Sequence, residues 1–454
     1  MPDAPHPNVW YPFTTIEGMP TPLKVVAGRG SRIQLEDGRS LIDCVSSWWV
    51  NVLGHANPHI AQAIHRQALE LEHVIFAGFT HEPAEQLSAS LAEMLPGDLT
   101  RAFFSDDGST SVEVALKMAY QYWVNRGERR PTFLAFEGAY HGDTFGAMAV
   151  ADESEFSSVF GELLFGVERM PFPDTWIGDD TAAAREAEIL ERLRTRLADS
   201  DNPVAAVIAE PLIQGAGGMR MCREEFLRGV RRITEEAGTL LILDEVMTGF
   251  GRTGAMFACE RAGVEPDLIC LSKGITGGFL PLAVTVASTE VYETFVSREA
   301  AKTFWHGHSY TANPLGCAAA LATLELLPEA EPVFSGMEAH HRRFLERLDP
   351  ELTQRPRVTG TIAAFDLRTG GGGGYFDDIG RLIKERTLDK GLLLRPLGNT
   401  VYFLPPYCLT DDEREWMYEG TLELVREVLG GRGGRADGRG LPTREELHDR
   451  KGLR

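Results

Sequence analysis

The feature that most constrains this chain is a pair of apolar segments, each followed by an ionisable side chain. Residues 240–243 are Leu-Leu-Ile-Leu and precede Asp244, and residues 268–271 are Leu-Ile-Cys-Leu and precede Ser272 and Lys273. Both segments have the length of buried strands, and the connection between them is long enough to make them parallel neighbours. Ligands bind beyond the carboxyl ends of strands in open parallel sheets. We therefore expect Asp244 and Lys273 to face one crevice.

The same alternation of apolar runs and amphipathic stretches continues through the middle of the chain. Apolar residues recur every three or four positions in stretches such as 112–124 and 185–197, which is typical of helices. Strands separated by helices indicate the α/β class, with a mainly parallel sheet flanked by helices. The predicted strands are residues 101–104, 132–136, 205–209, 240–243, 268–271 and 283–287.

The segments on either side of this layer predict a second, smaller unit. Residues 31–39 alternate with a period of two around an Asp-Gly pair, which is typical of a hairpin. Residues 313–327 predict a long helix, and residues 358–367 and 392–404 predict further strands. We expect a smaller α+β domain that is built from both chain ends, with the larger layer inserted between them.

The predicted division of the chain follows from these patterns. Residues 1–55 form the N-terminal part of the small domain, 56–325 the large cofactor-binding domain, and 326–429 the C-terminal part of the small domain. Residues 430–454 form a Gly/Arg-rich tail that cannot bury a core and is predicted to be disordered. Five consecutive glycines at 370–374 predict a flexible turn.

Composition excludes several classes of protein. A net charge of −21 argues against nucleic acids and anionic membranes as partners, since both would be repelled. The six cysteines form no CxxC pair, which favours free thiols in a reducing compartment over disulfides. The first residues lack the basic start and apolar stretch of a secretory signal, and no apolar run reaches the ~20 residues of a membrane span. These features predict a cytoplasmic enzyme.

Lys273 and Asp244 are suited to one kind of chemistry. A lysine after four apolar residues is costly to bury unless it is neutral or bonded, and a desolvated amine is a good nucleophile for an aldehyde. A carboxylate at the end of an aliphatic strand needs a cationic partner, such as a protonated ring nitrogen. The alternatives are a lysine that reaches solvent and an acid that caps a helix or forms a salt bridge.

Four other segments carry side chains suited to a cofactor or a substrate. Gly108 and Ser109 follow a strand and begin a helix, where an anion is favoured. Tyr140 could stack on an aromatic ring, and Trp48 could form the wall of a substrate pocket. Arg395 follows an apolar run and could bind a carboxylate with two hydrogen bonds. The alternatives are a plain helix cap, a buried turn tyrosine and a tryptophan at a domain interface.

Taken together, an anion cradle, an acid and an amine in this order along the chain resemble the class III, fold type I, pyridoxal 5'-phosphate (PLP) dependent aminotransferases over residues ~8 to 428. The resemblance is carried by Leu-Asp-Glu-Val-Met-Thr-Gly-Phe-Gly-Arg-Thr-Gly at 243–254 and Ser-Lys-Gly at 272–274. A narrower likeness, to the members that act on 8-amino-7-oxononanoate, is carried by four short motifs. These are Ser-Ser-Trp-Trp at 46–49, Tyr-His-Gly-Asp-Thr at 140–144, His-Gly-His-Ser-Tyr at 306–310 and Arg-Pro-Leu-Gly at 395–398.

The resemblance implies a role for each candidate cofactor residue. Lys273 would hold PLP covalently and act as the catalytic base, and Asp244 would pair with the ring nitrogen. Tyr140 would stack on the ring. The phosphate would be bound by Gly108 and Ser109 of one subunit and by His308 and Ser309 of the other subunit of a homodimer with shared active sites.

For the substrates, the resemblance implies that Phe13, Trp48, Tyr140, Lys273 and Gly307 line the pocket. Arg395 would bind the carboxylate of the keto acid. The implied reaction is transamination of 8-amino-7-oxononanoate to 7,8-diaminononanoate in biotin biosynthesis, with small molecules as the only partners besides the second subunit.

Two positions depart from the pattern of many relatives. Phe13 stands where many have a tyrosine and so lacks the hydroxyl, and Ser309 stands where many have a threonine. Because some members that use lysine share both variants, the donor is either S-adenosylmethionine or lysine.

Three other interpretations compete with this one. Another class III ω-aminotransferase, acting on a diamine or an ω-amino acid, would share the lysine, the aspartate and the anion cradle but would not need Trp48 or Arg395. A non-catalytic PLP-binding regulator would normally carry a DNA-binding module, and no such module is evident. A metalloenzyme is disfavoured because His55 and His59 lie in a predicted Gly/Asn/Pro loop with no acid close to them in the sequence.

Overall fold

The computed structural model describes residues 6, 8–17, 19–153, 157–369 and 378–430. The predicted flexible turn at 370–374 lies outside these residues. So does the predicted tail, except for Gly430.

The elements of the described residues follow in chain order. The strands are β1 Val25–Arg29, β2 Arg32–Leu35, β3 Ser40–Asp43, β4 Leu99–Ser105, β5 Thr132–Phe136, β6 Glu168–Met170, β7 Val204–Ala209, β8 Ile213–Gln214, β9 Arg220–Met221, β10 Leu240–Asp244, β11 Leu268–Leu271, β12 Ala283–Ser288, β13 Thr353–Thr359, β14 Ile362–Leu367, β15 Leu392–Leu393 and β16 Thr400–Phe403. The α-helices are α1 Ser46–Trp49, α2 Pro58–Glu70, α3 Glu82–Met94, α4 Gly108–Asn125, α5 Phe145–Val150, α6 Ala182–Leu197, α7 Glu224–Glu236, α8 Ala258–Ala262, α9 Thr289–Glu293, α10 Pro314–Leu345, α11 Asp378–Asp389 and α12 Asp411–Leu429. Short 3₁₀ helices span Ser158–Leu163, Lys273–Thr276 and Ala300–Lys302.

A seven-stranded sheet forms the centre of the molecule, in the order β4-β12-β11-β10-β7-β5-β6. The predicted parallel pairing of β10 with β11 is confirmed, with Ile242 opposite Leu268 and Asp244 opposite Cys270. Every residue of β7, β10 and β11 is buried, because helices cover both faces of the sheet. The predicted α/β class is therefore confirmed, and all six predicted strands are present.

The direction of the strands places six strand ends at one edge of this sheet. Strands β5, β6, β7, β10 and β11 run parallel to one another. Strand β12 is antiparallel to both β11 and β4, so β4 runs in the same direction as β11. The residues that follow β4, β5, β6, β7, β10 and β11 therefore lie at one edge, as expected for a ligand site.

The remaining strands form smaller sheets in which the two ends of the chain meet. One sheet has the order β1-β2-β3-β15, so a strand from near the C-terminus lies parallel to β3. Another contains β13, β14 and β16. This supports a small domain built from both ends, although the proposed boundaries stay a prediction.

Three predicted elements differ from those observed. Residues 358–367 contain a hairpin turn at Gly360, whose φ of 57° suits glycine, so they belong to two strands, β13 and β14. Residues 392–404 contain two short strands separated by a loop that includes Arg395. The helix predicted at 313–327 continues to Leu345 through Pro328 and Pro332. Both prolines lie on its exposed face, and its opposite face remains buried, which offsets the lost hydrogen bonds.

Two further findings concern the cysteines and the helices. All six cysteines are free, and five of them are buried. No helix among the described residues is both long enough and apolar enough to span a lipid bilayer.

A buried histidine predicts a pH-dependent stability. His341 contacts the carbonyl of Thr361 through Nε2 at 3.0 Å and the hydroxyl of Tyr418 through Nδ1 at 2.9 Å. Burial lowers the pKa of His341 from 6.5 to about 4. The unfolded chain therefore takes up a proton that the folded chain excludes, and stability should fall by about 1.4 kcal/mol per unit as pH drops from 6.5 towards 4.

Urea unfolding of the wild type and of His341→Gln across this pH range measures the effect. The free energy of unfolding should depend less steeply on pH in His341→Gln than in the wild type. His65→Gln, at an exposed histidine, should keep the pH dependence of the wild type. Equal slopes for the wild type and His341→Gln would contradict the assignment.

Candidate active site

A cavity of about 860 Å³ opens at the carboxyl edge of the large sheet. Residues from the small sheets and the N-terminal segment form its other walls. The structure brings eight of the eleven predicted site residues into this cavity: Phe13, Trp48, Gly108, Ser109, Tyr140, Asp244, Lys273 and Arg395.

Lys273 begins a short 3₁₀ turn directly after β11 and is partly buried. Its φ of 47° is unfavourable for a side chain with a Cβ, and such strain is concentrated at functional sites. Burial lowers the pKa of the Lys273 ammonium, although Asp244 and Glu210 oppose this effect. The ring of Trp49 lies 4.8 Å from the Lys273 Nζ. A lysine in these surroundings has an increased neutral, nucleophilic fraction.

Asp244 ends β10 and is almost completely buried. One carboxylate oxygen accepts a hydrogen bond from the backbone N–H of Val246 at 3.1 Å. The other lies 2.7 Å from the Nδ1 of His141. Because a carboxylate can only accept, Nδ1 of His141 carries the proton, and the buried Nε2 has no partner among the described residues. His141 thus orients the acid towards the cavity.

Glu210 is a third ionisable group at this edge of the sheet, directly after β7. Its two carboxylate oxygens accept hydrogen bonds from the backbone N–H groups of Tyr140 and Gly215, each at 2.9 Å. Burial raises the pKa of Glu210 to about 7, and the nearby Asp244 acts in the same direction. Glu210 joins the loops that follow β5 and β8.

The helix α4 begins at the cavity and supplies an anion cradle. Asp107 caps this helix, and its side chain accepts from the N–H of Thr110 at 2.9 Å. Gly108 and Ser109 are the first two residues of the helix, where N–H groups are free to bind an anion. Gly142 packs so closely that a Cβ there would lie 2.7 Å from the Cα of Ser109.

Tyr140 lies in the cavity wall on the loop after β5. Burial raises the pKa of its hydroxyl well above 10, and a hydrogen bond with the Asp143 carboxylate adds to the effect. The hydroxyl therefore stays protonated at neutral pH and can serve as a donor.

Arg395 and two aromatic side chains form another part of the wall. The Arg395 guanidinium lies 3.8 Å from the centre of the Trp48 ring, a cation–π contact. Phe13 meets Trp48 edge to face, with ring centres 5.5 Å apart. No carboxylate of the described residues forms an ion pair with Arg395, so its charge is available to an anionic ligand.

The segment that contains Gly307, His308 and Ser309 does not line the cavity of its own chain. The Nε2 of His308 lies 3.9 Å from an Asp106 carboxylate oxygen, next to the anion cradle. Trp305 and Tyr310 on either side are exposed, at 76% and 65%. Such exposed aromatic side chains are typical of surfaces that bind a partner.

The match to a family model decides which family this is. Residues 15–424 match the family described as Aminotransferase class-III. The chain belongs to the class III aminotransferases. It is 58% identical over 425 residues to an adenosylmethionine-8-amino-7-oxononanoate aminotransferase of Synechococcus elongatus, covering 93% of this chain and 99% of the relative. A protein of the same description from Geobacter sulfurreducens is 39% identical and covers 93% and 97% of the two chains.

Solved structures of other family members have the same fold. The adenosylmethionine-8-amino-7-oxononanoate aminotransferase of Methanocaldococcus jannaschii superposes with a TM-score of 0.82 at 33% identity, over 92% of this chain and 97% of that one. An amine transaminase from an uncultivated Pseudomonas species, solved with PLP bound, gives a TM-score of 0.85 at 32% identity, over 92% and 98%. The predicted fold type I aminotransferase architecture is confirmed.

This class III aminotransferase is an enzyme that depends on PLP, as predicted. The cavity fits that cofactor in three respects. It holds a partly buried amine at Lys273, a buried acid at Asp244 and free N–H groups at the start of α4. Gly142 lets its loop pack directly against Ser109, where the Cβ of any other residue would clash with the Ser109 side chain and Cα.

Sequence reasoning missed three residues of the aminotransferase site. His141 and Asp143 lie in a quoted motif, but their partners are distant in sequence and could not be inferred from it. Glu210 could have been found, because it follows a fully apolar strand in the same way as Asp244.

The close packing at Gly142 predicts a loss of cofactor affinity on substitution. In Gly142→Ala the new Cβ would displace the backbone at Ser109 and open the anion cradle. We expect the dissociation constant for PLP, measured from the absorbance of the bound cofactor, to rise by at least about tenfold.

Gly127→Ala is the matched control for this experiment. Gly127 also has a positive φ, of 79°, but no atom lies within 4 Å of a Cβ added there. PLP affinity should be unchanged in this variant, and a similar loss in both variants would show that backbone strain alone is responsible.

Proposed function

We propose that this aminotransferase converts 8-amino-7-oxononanoate to 7,8-diaminononanoate in biotin biosynthesis, with S-adenosylmethionine as the amino donor. The observation that carries the proposal is the 58% identity to the Synechococcus elongatus relative over nearly the whole of both chains. The Geobacter sulfurreducens relative, whose name gives the same donor and acceptor, extends the support to more distant members.

In this proposal, different residues around Lys273 bind different parts of the cofactor. PLP, when bound, supplies an aldehyde that carries the amino group and a ring that accepts electrons. Lys273 would bind that aldehyde and, at its Nζ, would carry the proton that leaves the α carbon of the donor. Asp244, oriented by His141, would face the ring nitrogen and favour its protonated form. Gly108 and Ser109 would hold the phosphate, and Tyr140 would hold the ring.

The other wall of the cavity suits a long substrate with one carboxylate. Arg395 binds the carboxylate of the keto acid and is supported from below by Trp48. Phe13 and Trp48 contribute apolar surface, which can accept two dissimilar substrates in turn because it imposes few fixed hydrogen bonds. Phe13 offers no hydroxyl to the donor, so lysine remains the alternative donor.

A second candidate function is amine transamination of another substrate. The solved amine transaminase at 32% identity favours it, because its fold superposes as well as that of the Methanocaldococcus jannaschii enzyme. The higher identity to the Synechococcus elongatus protein favours the first function.

We further propose that the enzyme is a homodimer with shared sites, in which Gly307, His308 and Ser309 of one subunit complete the site of the other. The exposed Trp305 and Tyr310 beside them support such an interface. Sedimentation of the purified enzyme should give twice the mass of one chain. We also propose a cytoplasmic location, which the six free cysteines support.

A coupled assay tests the proposed function. The enzyme is incubated with 8-amino-7-oxononanoate and either S-adenosylmethionine or lysine, and 7,8-diaminononanoate is measured by mass spectrometry. We expect product with S-adenosylmethionine. Product with lysine alone would change the donor, and no product with either donor would overturn the assignment.

Replacing Lys273 should abolish turnover. Lys273→Ala removes both the covalent link to PLP and the proton-transfer group, so kcat should fall by more than about 10²–10⁴-fold. The visible absorbance of the lysine-bound cofactor should also disappear. Lys390→Ala, at a surface lysine paired with Glu423 and Glu427, should retain both the turnover and the absorbance of the wild type.

Replacing Arg395 should affect one substrate more than the other. In Arg395→Ala the KM for the keto acid should rise by at least about tenfold, as expected when a charged hydrogen bond is lost. The KM for the donor should change much less, and Arg395→Lys should show a smaller effect. An equal rise for both substrates would contradict the proposed role.

A further inference from the structure

The short element α1, which carries Trp48 and Trp49, is a strained turn rather than a regular helix. Ser46, Ser47 and Trp49 have φ values of 50°, 61° and 69°, in the region that favours glycine. Ser47, with ψ of −86°, is also far from helical geometry. Three such residues within four positions persist only when surrounding contacts hold them.

The strain positions two indole rings at different parts of the site. Trp48 supports the Arg395 guanidinium at 3.8 Å, and Trp49 lies 4.8 Å from the Lys273 Nζ. One short turn therefore links the wall for the substrate carboxylate to the residue that carries out the chemistry.

The two outer residues of the turn are held by distant parts of the chain. The hydroxyl of Ser46 donates to the carbonyl of Leu404 at 2.8 Å. The indole N–H of Trp49 donates to the hydroxyl of Tyr402 at 3.0 Å, and its carbonyl accepts from Arg252 at 3.3 Å. These contacts fix the Trp49 side of the turn against the Lys273 side of the cavity.

The centre of the turn is held by Asp43, the last residue of β3. Asp43 is fully buried, and one of its carboxylate oxygens accepts from the Ser47 hydroxyl at 3.0 Å. The same oxygen lies 2.8 Å from the Nε2 of His55, and the other accepts from the N–H of Val45 at 3.3 Å. A buried carboxylate with three partners is a rigid anchor. It lies outside the residues that line the cavity.

We propose that Asp43, held by His55, is a positioning residue that fixes the strained Ser47 and thereby keeps Trp48 beneath Arg395. Asp43 determines affinity for the carboxylate-bearing substrate without touching it. The identity of that substrate rests on the proposed function, whereas the role of Asp43 in holding Trp48 against Arg395 does not. Because other residues hold Trp49, loss of Asp43 should change the position of Trp48 and Arg395 but leave the surroundings of Lys273 unchanged.

Steady-state kinetics of three variants test the proposal. Asp43→Ala should raise the KM for 8-amino-7-oxononanoate by about tenfold, the loss expected for a buried hydrogen-bond acceptor, with little change in kcat or donor KM. Asp43→Asn, which keeps an acceptor oxygen for Ser47, should recover most of the affinity. Asp267→Asn alters a partly buried acid elsewhere in the fold, paired with Arg231, and should leave both KM values unchanged.

Two substitutions at Ser47 distinguish the effect of backbone strain from that of the lost hydrogen bond to Asp43. Ser47→Ala loses the hydrogen bond to Asp43 but keeps a Cβ at a φ of 61°, so it should resemble Asp43→Ala. Ser47→Gly also loses the hydrogen bond but adopts this φ without strain, so it should be closer to the wild type. Equal losses in both would overturn the strain argument. This pair also serves if Asp43→Ala fails to fold.

A binding measurement separates this inference from the proposed function. Nonanoate, a simple monocarboxylate of similar length, is titrated into the PLP-loaded wild type and Asp43→Ala, and tryptophan fluorescence is followed. Weaker binding to Asp43→Ala supports the inference even if 8-amino-7-oxononanoate proves not to be a substrate. Equal binding by the two folded proteins would overturn it, whatever the substrate.

Discussion

The site depends on one pairing, that of β10 with β11 in parallel. This pairing sets Asp244 opposite Cys270, so that an acid and the amine of Lys273 emerge at the same edge of the sheet. A shift of one residue in either strand would turn the side chains to the opposite face. Because both faces of both strands are buried, such a shift would require the side chains on both faces of the sheet to repack. The chemistry of the cavity is thus specified by the packing beneath it.

Burial acts in opposite directions on the ionisable groups of this edge. It lowers the pKa of Lys273 and raises that of Glu210, while His141 provides a hydrogen-bond partner for Asp244. In an ordinary core such a cluster would be destabilising. Here the groups partly compensate one another, and backbone N–H groups satisfy the carboxylates. Buried ionisable groups, which would normally lower stability, are thus concentrated at the candidate active site.

The sequence predicts those parts of the molecule that depend on local pattern. Apolar runs located six of the seven strands of the large sheet, all except β6, and polar residues after those runs located Lys273 and Asp244. Contacts between distant residues were not predictable in the same way. The backbone of the Ser46–Trp49 turn is held by residues more than 350 positions away, such as Leu404 and Tyr402, and no local pattern encodes it.

At the prolines of α10, by contrast, a local pattern gives the wrong prediction. Pro328 and Pro332 predict an early end to this helix, because each removes a hydrogen bond. The helix continues because its buried face, which includes Phe334, packs along the protein. Tertiary packing outweighs local propensity at this position.

The parallel pairing of β3 with β15 has a consequence for the order in which the molecule is made. β3 ends at Asp43, whereas β15 begins at Leu392, so this sheet joins segments that a ribosome produces far apart in time. The large sheet can form on the nascent chain as soon as β12 has emerged. The N-terminal strands must then wait, with one edge unpaired, until almost the whole chain has been released. Folding of this protein should therefore finish at the wall of the cavity that contains Trp48 and Arg395.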